Sequence, residues 1–392
     1  MLLKCGKIIE LEIVQGKPAI SRYRLEHPGK VGIAAKPILD YRSDVRTVEL
    51  ISPIAARCLL DSKEKLRFPT RRRVLQSAGA LAGGALLNQI FPASLSAAFP
   101  RLAGQASAAP ENPLAAMRAE FGKVAIQSTE LGENLTLLSG PGGNVIASHG
   151  HDGKLLVDTF VSSSWDRLQK TIDGLGKGPL KYVINTHWHW DHTDNNLNLF
   201  RTGAQLIAHE NTRKRMSETH DLDILNFHFD PSPADAIPQH TFNGSFQMHF
   251  NGEHLTLGHF SPAHTDSDIY VHFQKANVLH MGDVFFKGMY CYIDGGTGGS
   301  VAGTIAGATK MLEMVDNNTK IIPGHGELGN KTDLRNFRNM LETAHDRVRK
   351  LKSAGKSLQE TIAAKPFADL DPVWGKGFFN ADTFTRVVYT TL

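Results

Sequence analysis

Between Asn185 and Asn196 the chain reads NTHWHWDHTDNN, so His187, His189, Asp191 and His192 fall within six residues. Imidazole and carboxylate groups are the usual ligands of catalytic divalent metals. Residues two apart in an extended segment point the same way, so His187 and His189 can grip one ion. A turn after them lets Asp191 and His192 face a second. A catalytic zinc typically takes three protein ligands and keeps a position for water. Two such ions need about six or seven ligands, and this stretch supplies four. Three more stand downstream: His264 in SPAHTDSD, Asp283 in HMGD and His325 in PGHG. Each sits in a loop of small residues just off an apolar run, where a side chain can reach a shared pocket at a sheet edge.

Other histidines have plainer readings. His149 and His151 form a second H-x-H, which reads as an exposed hairpin turn. His209, His272 and His280 lie on or beside strands and read as core or supporting residues. A closed structural zinc site favours four Cys/His ligands, and seven ligands with two carboxylates fit an open dinuclear site better.

The elements that must position these groups are legible from pattern. From Lys123 onward VAIQSTEL, LTLLSG, NVIASHG and KLLVDTF are short apolar runs separated by Gly/Asn/Asp turns, a meander of antiparallel strands. SSWDRLQKTIDGLG has helical spacing, with Trp165, Leu168, Ile172 and Leu175 on one face and Gly176 as its stop. KYVINT is a buried strand that delivers the chain to His187. Helix, strand and helix follow in NNLNLFRTG, AQLIAH and ENTRKRMSE. TFNGSFQMHFNGEHLTLGHF, SDIYVHF and NVLHMGD are strands, SVAGTIAGATKMLEMV a helix, KIIPGHG a strand and loop, and DLRNFRNMLETAHDRVRKLKSAG a long terminal helix. Two β-rich halves, each followed by helices, predict an α/β four-layer αββα sandwich.

HWHWDH looks like the H-x-H-x-D-H signature of the metallo-β-lactamase superfamily. SPAHTDSD resembles its third-histidine loop, HMGD its bridging aspartate and PGHG its last histidine. The resemblance covers about residues 120–345. It implies that His187, His189 and His264 hold one metal, that Asp191, His192 and His325 hold the other, and that Asp283 bridges them. The cysteine-ligand β-lactamases carry Cys where this chain has Asp283, and Cys291, eight residues on, reads as a packed thiol. The diiron flavoproteins carry Glu where this chain has His189. Trp190 with Asp283 is most similar to the glyoxalase II branch, although no glutathione-binding domain is evident.

Two metals sharing a water lower its pKa to about 7 and supply a hydroxide nucleophile at neutral pH. Asp191 is the expected catalytic residue, orienting that nucleophile and taking its proton. The expected function is an exported hydrolase with two Zn2+ (iron or manganese as alternatives), acting on an amide, lactam or ester-like bond of a small molecule. A mononuclear iron thiol or persulfide oxygenase built from His187, His264 and Asp283 is the competing reading. A metal-binding relative without turnover is the third. No G-x-S-x-G occurs. The loop FFKGMYCYIDGGTGGS is expected to wall the pocket with Phe285, Phe286, Tyr290, Tyr292 and Lys287. Its GGTGGS portion reads as a flexible entry to a helix, with a backbone nest for a substrate carboxylate as the alternative.

Charge is unevenly spread over the 392 residues. Residues 1–108 hold 17 Lys+Arg against 8 Asp+Glu, and residues 109–392 hold 26 against 31. The mildly acidic body argues against a nucleic-acid partner. Only Cys291 of the three cysteines lies in it, which excludes a disulfide framework there. Residues 70–76, TRRRVLQ, resemble a twin-arginine export motif. The apolar run SAGALAGGALLNQIF follows, too short and weak for a comfortable membrane span, and then ASA, which fits a signal-peptidase site. These features predict a signal segment over 70–108, the twin-arginine machinery as a partner, no stable membrane anchor, and a periplasmic or secreted catalytic domain over 109–392. Residues 1–69 carry scattered charges without a clear period. They are expected to be a poorly ordered extension or the product of a mis-assigned start.

Overall fold

The computed structural model describes residues 7–14, 17–25 and 112–392. The chain divides into two units, Met1–Ser77 and Ala78–Leu392. In the first, β1 (Lys7–Val14) and β2 (Lys17–Leu25) pair antiparallel. This pairing falls in the stretch where no regular period is evident; isoleucine and valine enrichment supplies the strand preference there. The signal-like segment lies outside the described residues.

The second unit opens with helix α1 (Pro113–Phe121), capped by the Asn112 side chain. A seven-stranded sheet follows, built from β3 (Gln127–Gly132), β4 (Leu135–Gly140), β5 (Gly143–Gly150), β6 (Gly153–Val157), β7 (Leu180–Ile184), β8 (Gln205–His209) and, beyond a small hairpin of β9 (His220–Leu222) and β10 (Phe227–Phe229), β11 (His240–Phe242). Their order across the sheet is β11-β8-β7-β6-β5-β4-β3. The meander β3 to β6 is antiparallel, and β6, β7, β8 and β11 run parallel. Helices α2 (Trp165–Gly174), α3 (Trp190–Thr193), α4 (Asn196–Arg201) and α5 (Glu210–Met216) lie in its connections. The second sheet has the order β12 (Ser245–Phe250), β13 (Glu253–His259), β14 (Ile269–Phe273), β15 (Val278–His280) and β16 (Lys320–Ile322). It is antiparallel except for the last pair, which the crossover helix α6 (Val301–Met314) makes parallel. Helix α7 (Lys331–Ser353) begins at a capping box of Asn330 and Asp333. Three short helices complete the unit: α8 (Leu358–Ala363), α9 (Asp371–Trp374) and α10 (Ala381–Thr390).

Strand alternation explains the four layers. Leu155 and Val157 of β6 face Leu257, Val271 and Ile322 of the other sheet. Leu156, one residue away, packs instead with Leu168 and Ile172 of α2. Tyr270 of β14 likewise turns from the inter-sheet core to the outer one, where its ring packs against Phe260 (centroids 5.5 Å apart) under Lys310 of α6. The result is the expected αββα sandwich, with the ends of β6, β7, β15 and β16 gathered at one edge.

Candidate metal centre

All seven residues singled out in the sequence meet at that edge. β7 ends at Ile184 and the chain leaves through Asn185, whose side-chain amide exchanges two hydrogen bonds with that of Asn196, at 3.0 and 2.9 Å. This pair closes the loop on itself, so the asparagines flanking the histidine run hold its two ends together. His187 lies in the bend after β7, His189 is the residue that leads into α3, and Asp191 and His192 lie on the α3 turn. His264 comes from the β13–β14 loop, Asp283 follows β15, and His325 follows β16.

Ligand-type atoms of His187, His189, His264 and Asp283 lie within 4.8 Å of one another, as do those of Asp191, His192 and His325. Asp283 spans both groups. Its Oδ2 lies 3.8 Å from His187 Nε2, 3.5 Å from His264 Nε2 and 3.4 Å from His325 Nε2. Its Oδ1 lies 3.2 Å from His192 Nε2. Asp191 Oδ2 stands 3.3 Å from His325 Nε2 and 3.6 Å from His192 Nε2. Three buried atoms in this set, His187 Nε2, His192 Nε2 and Asp283 Oδ1, have no hydrogen-bond partner. Leaving a buried polar atom unpaired costs about 1–3 kcal/mol, so three beside one another call for a ligand. The donor set, five imidazoles and two carboxylates, suits divalent cations, and the clusters form a candidate His/Asp metal-binding site.

The imidazoles of His192, His189 and His264 are aimed by second contacts. His192 Nδ1 pairs at 2.7 Å with Asp158 Oδ2, leaving Nε2 for the centre. Asp158 also accepts hydrogen bonds from Thr186 N (2.7 Å) and Thr186 Oγ1 (2.8 Å). His189 turns its Nε2 toward Asp294 (3.3 Å), and its Nδ1 lies 2.8 Å from His264 Nε2. His264 Nδ1 is 2.8 Å from the Tyr292 carbonyl. The turn that carries His325 is pinned from the other sheet, where Asn144 Nδ2 donates to the carbonyls of Pro323 and Gly326, both at 2.9 Å. Gly324 in that turn must lack a side chain, because a Cβ there would stand 1.9 Å from Asp283 Oδ1.

Asp158, Asn144 and Asp294 were not anticipated. Asp158 ends the run KLLVD, and its backbone adopts a left-handed φ of 67°, a cost that functional positions often carry. An acidic residue closing a buried strand beside the site was the available signal. The GGTGGS loop differs from expectation. It is not free, and the carboxylate it holds is the chain's own: Asp294 accepts from Gly296 N, Thr297 N and Thr297 Oγ1, and Trp188 Nε1 donates to Thr297 Oγ1. The loop therefore holds the carboxylate that aims His189. Phe285 and Tyr290 also differ; both are wholly buried in the outer core. Lys287 turns away, donating to the Leu328 carbonyl and lying 3.3 Å from Asp333. Phe286 and Tyr292 do line the cleft. Cys291 is a packed thiol, and burial pushes its pKa well up. His151 is exposed, and His280 is buried with Nε2 3.2 Å from the Asn144 carbonyl.

Electrostatics divides the imidazoles. Burial, reinforced by His192, holds His187 well below its ordinary pKa, and burial brings His264 down to about 4 against the pull of Asp283. Both are neutral and ready to ligate at pH 7. Burial also opposes charge on His192 and His325. There the carboxylates win: Asp283, then Asp191, hold His192 well up, and Asp283 and Asp191 raise His325 to about 9. Burial would raise Asp283, but the imidazoles of His325, His192, His264 and His187 keep it well below the carboxylate range.

Above the clusters opens a cleft of about 460 Å³ whose lining includes His189, Asp191, Asp283 and His325. A wider hollow of about 790 Å³ lies between β11 and β12. Neither His/Asp cluster lines it, so the chemistry belongs to the smaller cleft.

A family model, Metallo-beta-lactamase superfamily, matches residues 140–325, a span containing all seven residues. A search of curated proteins finds no match. The structure is similar to that of a stereoselective inverting sec-alkylsulfatase from Pseudomonas sp., with 16% sequence identity over 69% of this chain and 51% of that one and a TM-score of 0.51. The chain thus spans about half the length of that enzyme. It is also similar to a metallo-β-lactamase from Pontibacter korlensis, with 16% identity over 55% of this chain and 99% of that one and a TM-score of 0.48. For the DIM-1 metallo-β-lactamase the values are 20% identity, 56%, 99% and 0.46. The family match and the layer order agree on the metallo-β-lactamase fold.

Proposed function

We propose that this chain is a dinuclear metallo-hydrolase of the metallo-β-lactamase superfamily, zinc-dependent, acting on an amide, lactam or ester-like bond. The observation that carries the reading is Asp283 standing between two ligand clusters, with His187 Nε2, His192 Nε2 and Asp283 Oδ1 buried and unpaired. His187, His189 and His264 would hold one ion, Asp191, His192 and His325 the other, and Asp283 both. Bound there, the two cations supply Lewis acidity and an acidified water.

The chain's own groups do the rest. Asp191 borders the cleft, so it can take a proton from the attacking water and deliver it to the leaving oxygen or nitrogen. The acyl carbon gains hydroxide, the bond to the leaving group breaks, and the proton ends on that group. Asp158 and Asp294 hold His192 and His189 in the tautomers that ligate. Asp283, ionised, offsets repulsion between two dications.

A mononuclear iron oxygenase would use the first cluster and leave Asp191, His192 and His325 without a role. Metal analysis tests the choice, run with turnover on β-lactams, lactones, thioesters and phosphodiesters. Zinc near two per chain with turnover on one class is expected; iron near one per chain overturns the reading. We also propose export by the twin-arginine route, on the motif at Arg71–Arg73 and the ASA site. Replacing Arg71 and Arg72 by Lys should leave uncleaved precursor in the cytoplasmic fraction.

A further inference from the structure

The cleft has a feature that the metal ligands do not explain. One wall is apolar, built from Phe121 of α1, Leu222 and Phe227 of the β9–β10 hairpin, Phe286 of the loop after Asp283 and Phe379 of the C-terminal segment, while uncharged polar side chains of β3 to β5, Gln127, Thr129, Ser139 and Asn144, also line the cleft. Trp190 lies in the same wall and stacks on Phe121, with ring centroids 5.6 Å apart. Among the described residues no lysine or arginine lines it. Two cations near the wall, Arg118 and Lys287, are engaged elsewhere. Arg118 makes a two-pronged contact with Asp194 at 3.1 and 2.8 Å, and Lys287 faces Asp333. Beyond the metal ligands, the one acidic or basic residue lining the cleft among the described residues is the acidic Glu327.

A substrate acid group lying along such a wall would lose its water and find no counter-charge, which is costly. An uncharged hydrocarbon body loses nothing and gains roughly 25 cal/mol per Å² of apolar surface buried. We infer that the substrate is an uncharged ester, open-chain or lactone, with an apolar aliphatic or aromatic body lying along this wall and its carbonyl at the metal centre. The inference rests on the hydrolase reading for its chemistry. Water is consumed, the acyl C–O bond breaks, the acyl carbon keeps the hydroxyl, and Asp191 passes the proton to the leaving oxygen.

The test uses the full zinc-loaded chain and two pairs of probes. Tryptophan fluorescence reports equilibrium binding of decan-2-one and of 9-oxodecane-1-sulfonate, whose distal sulfonate is a poor zinc ligand. Turnover compares p-nitrophenyl octanoate with its ω-carboxylate counterpart. The neutral member should bind at least about tenfold tighter and show at least about tenfold higher kcat/KM. Thr129→Lys, an exposed β3 position on the cleft, should narrow both gaps about fivefold. Equal handling of neutral and acidic members overturns the inference, as does failure of decan-2-one to bind. If decan-2-one binds but no ester is hydrolysed, the ester assignment is overturned, and if β-lactams, thioesters and phosphodiesters are not hydrolysed either, the hydrolase reading fails while the apolar site stands. If esters are hydrolysed without regard to charge, the reverse holds.

Discussion

Asp191 and Asp283 are both carboxylates of the centre, yet their surroundings give them different work. Asp283 is buried between both clusters, and Asp191 belongs to one and faces the cleft. Asp283→Asn should therefore lower metal content markedly, with activity partly restored by excess zinc. Asp191→Asn should lose turnover by at least about a hundredfold, the scale of lost general-base function, and excess zinc should restore little. Titrating zinc into each variant while following turnover separates them; full recovery of Asp191→Asn would show it to be a ligand alone. Asp158 touches no ligand atom of the centre but pairs with His192 Nδ1. Asparagine tolerates the left-handed backbone at this position and keeps the shape, but loses the charge that holds the imidazole. Asp158→Asn should weaken metal binding by about 10–100-fold with the melting temperature of the metal-loaded form little changed. A competition titration against a chelating dye measures this, and unchanged affinity would leave Asp158 only a structural part.

At the scale of elements, legibility followed periodicity. The meander, α2, the β7–β8 unit, the second sheet and helices α6 and α7 all carry alternation or a 3.6-residue stripe, and all were placed. The seven residues of the site were legible because they cluster after those strands. In the second unit, the elements that the sequence pattern does not announce are short: α1, the β9–β10 hairpin and α8 to α10. Segments of three to ten residues leave little pattern, whether they bury none of their side chains, as α9 does, or four, as α10 does. They supply Phe121, Leu222 and Phe227, and the segment between α9 and α10 supplies Phe379, so the part of the molecule that shapes the cleft is the part least visible in the sequence. Close packing was also invisible, and it carries a prediction. Gly303, in the first turn of α6, has no room for a Cβ, which would meet the Pro262 carbonyl oxygen at 1.7 Å. Pro262 stands two residues before His264. Gly303→Ala should cost about 1–3 kcal/mol and displace the His264 loop. A lower melting temperature together with reduced zinc content is expected; lost stability with full zinc content would uncouple the helix from the site.

For the whole molecule, the centre is a place where metal and protons compete to hold two sheets together. β7 belongs to one sheet and β15 and β16 to the other, so the ligands draw on both. Without a cation, the carboxylates of Asp283 and Asp191 are countered by protons on His192 and His325, and His325 keeps its proton up to about 9. The folded pKa lies above the ordinary value of about 6.5. That contribution to the metal-free fold is fully present below about 6.5 and is lost as pH rises through about 9. Bound cations supply the same positive charge without titrating, and an ion at 1,000 times its dissociation constant adds about 4 kcal/mol. The melting temperature of the chelator-treated protein should therefore fall between pH 6.5 and 9, while that of the zinc-loaded protein stays nearly level, so the gap widens with pH. The same protons must leave when zinc enters. Calorimetric zinc titrations at pH 7 in buffers of different ionisation enthalpy should show net proton release, shrinking as pH passes 9. A binding heat independent of the buffer at pH 7 would mean that His192 and His325 are already neutral, and the proposed exchange of protons for metal would be wrong.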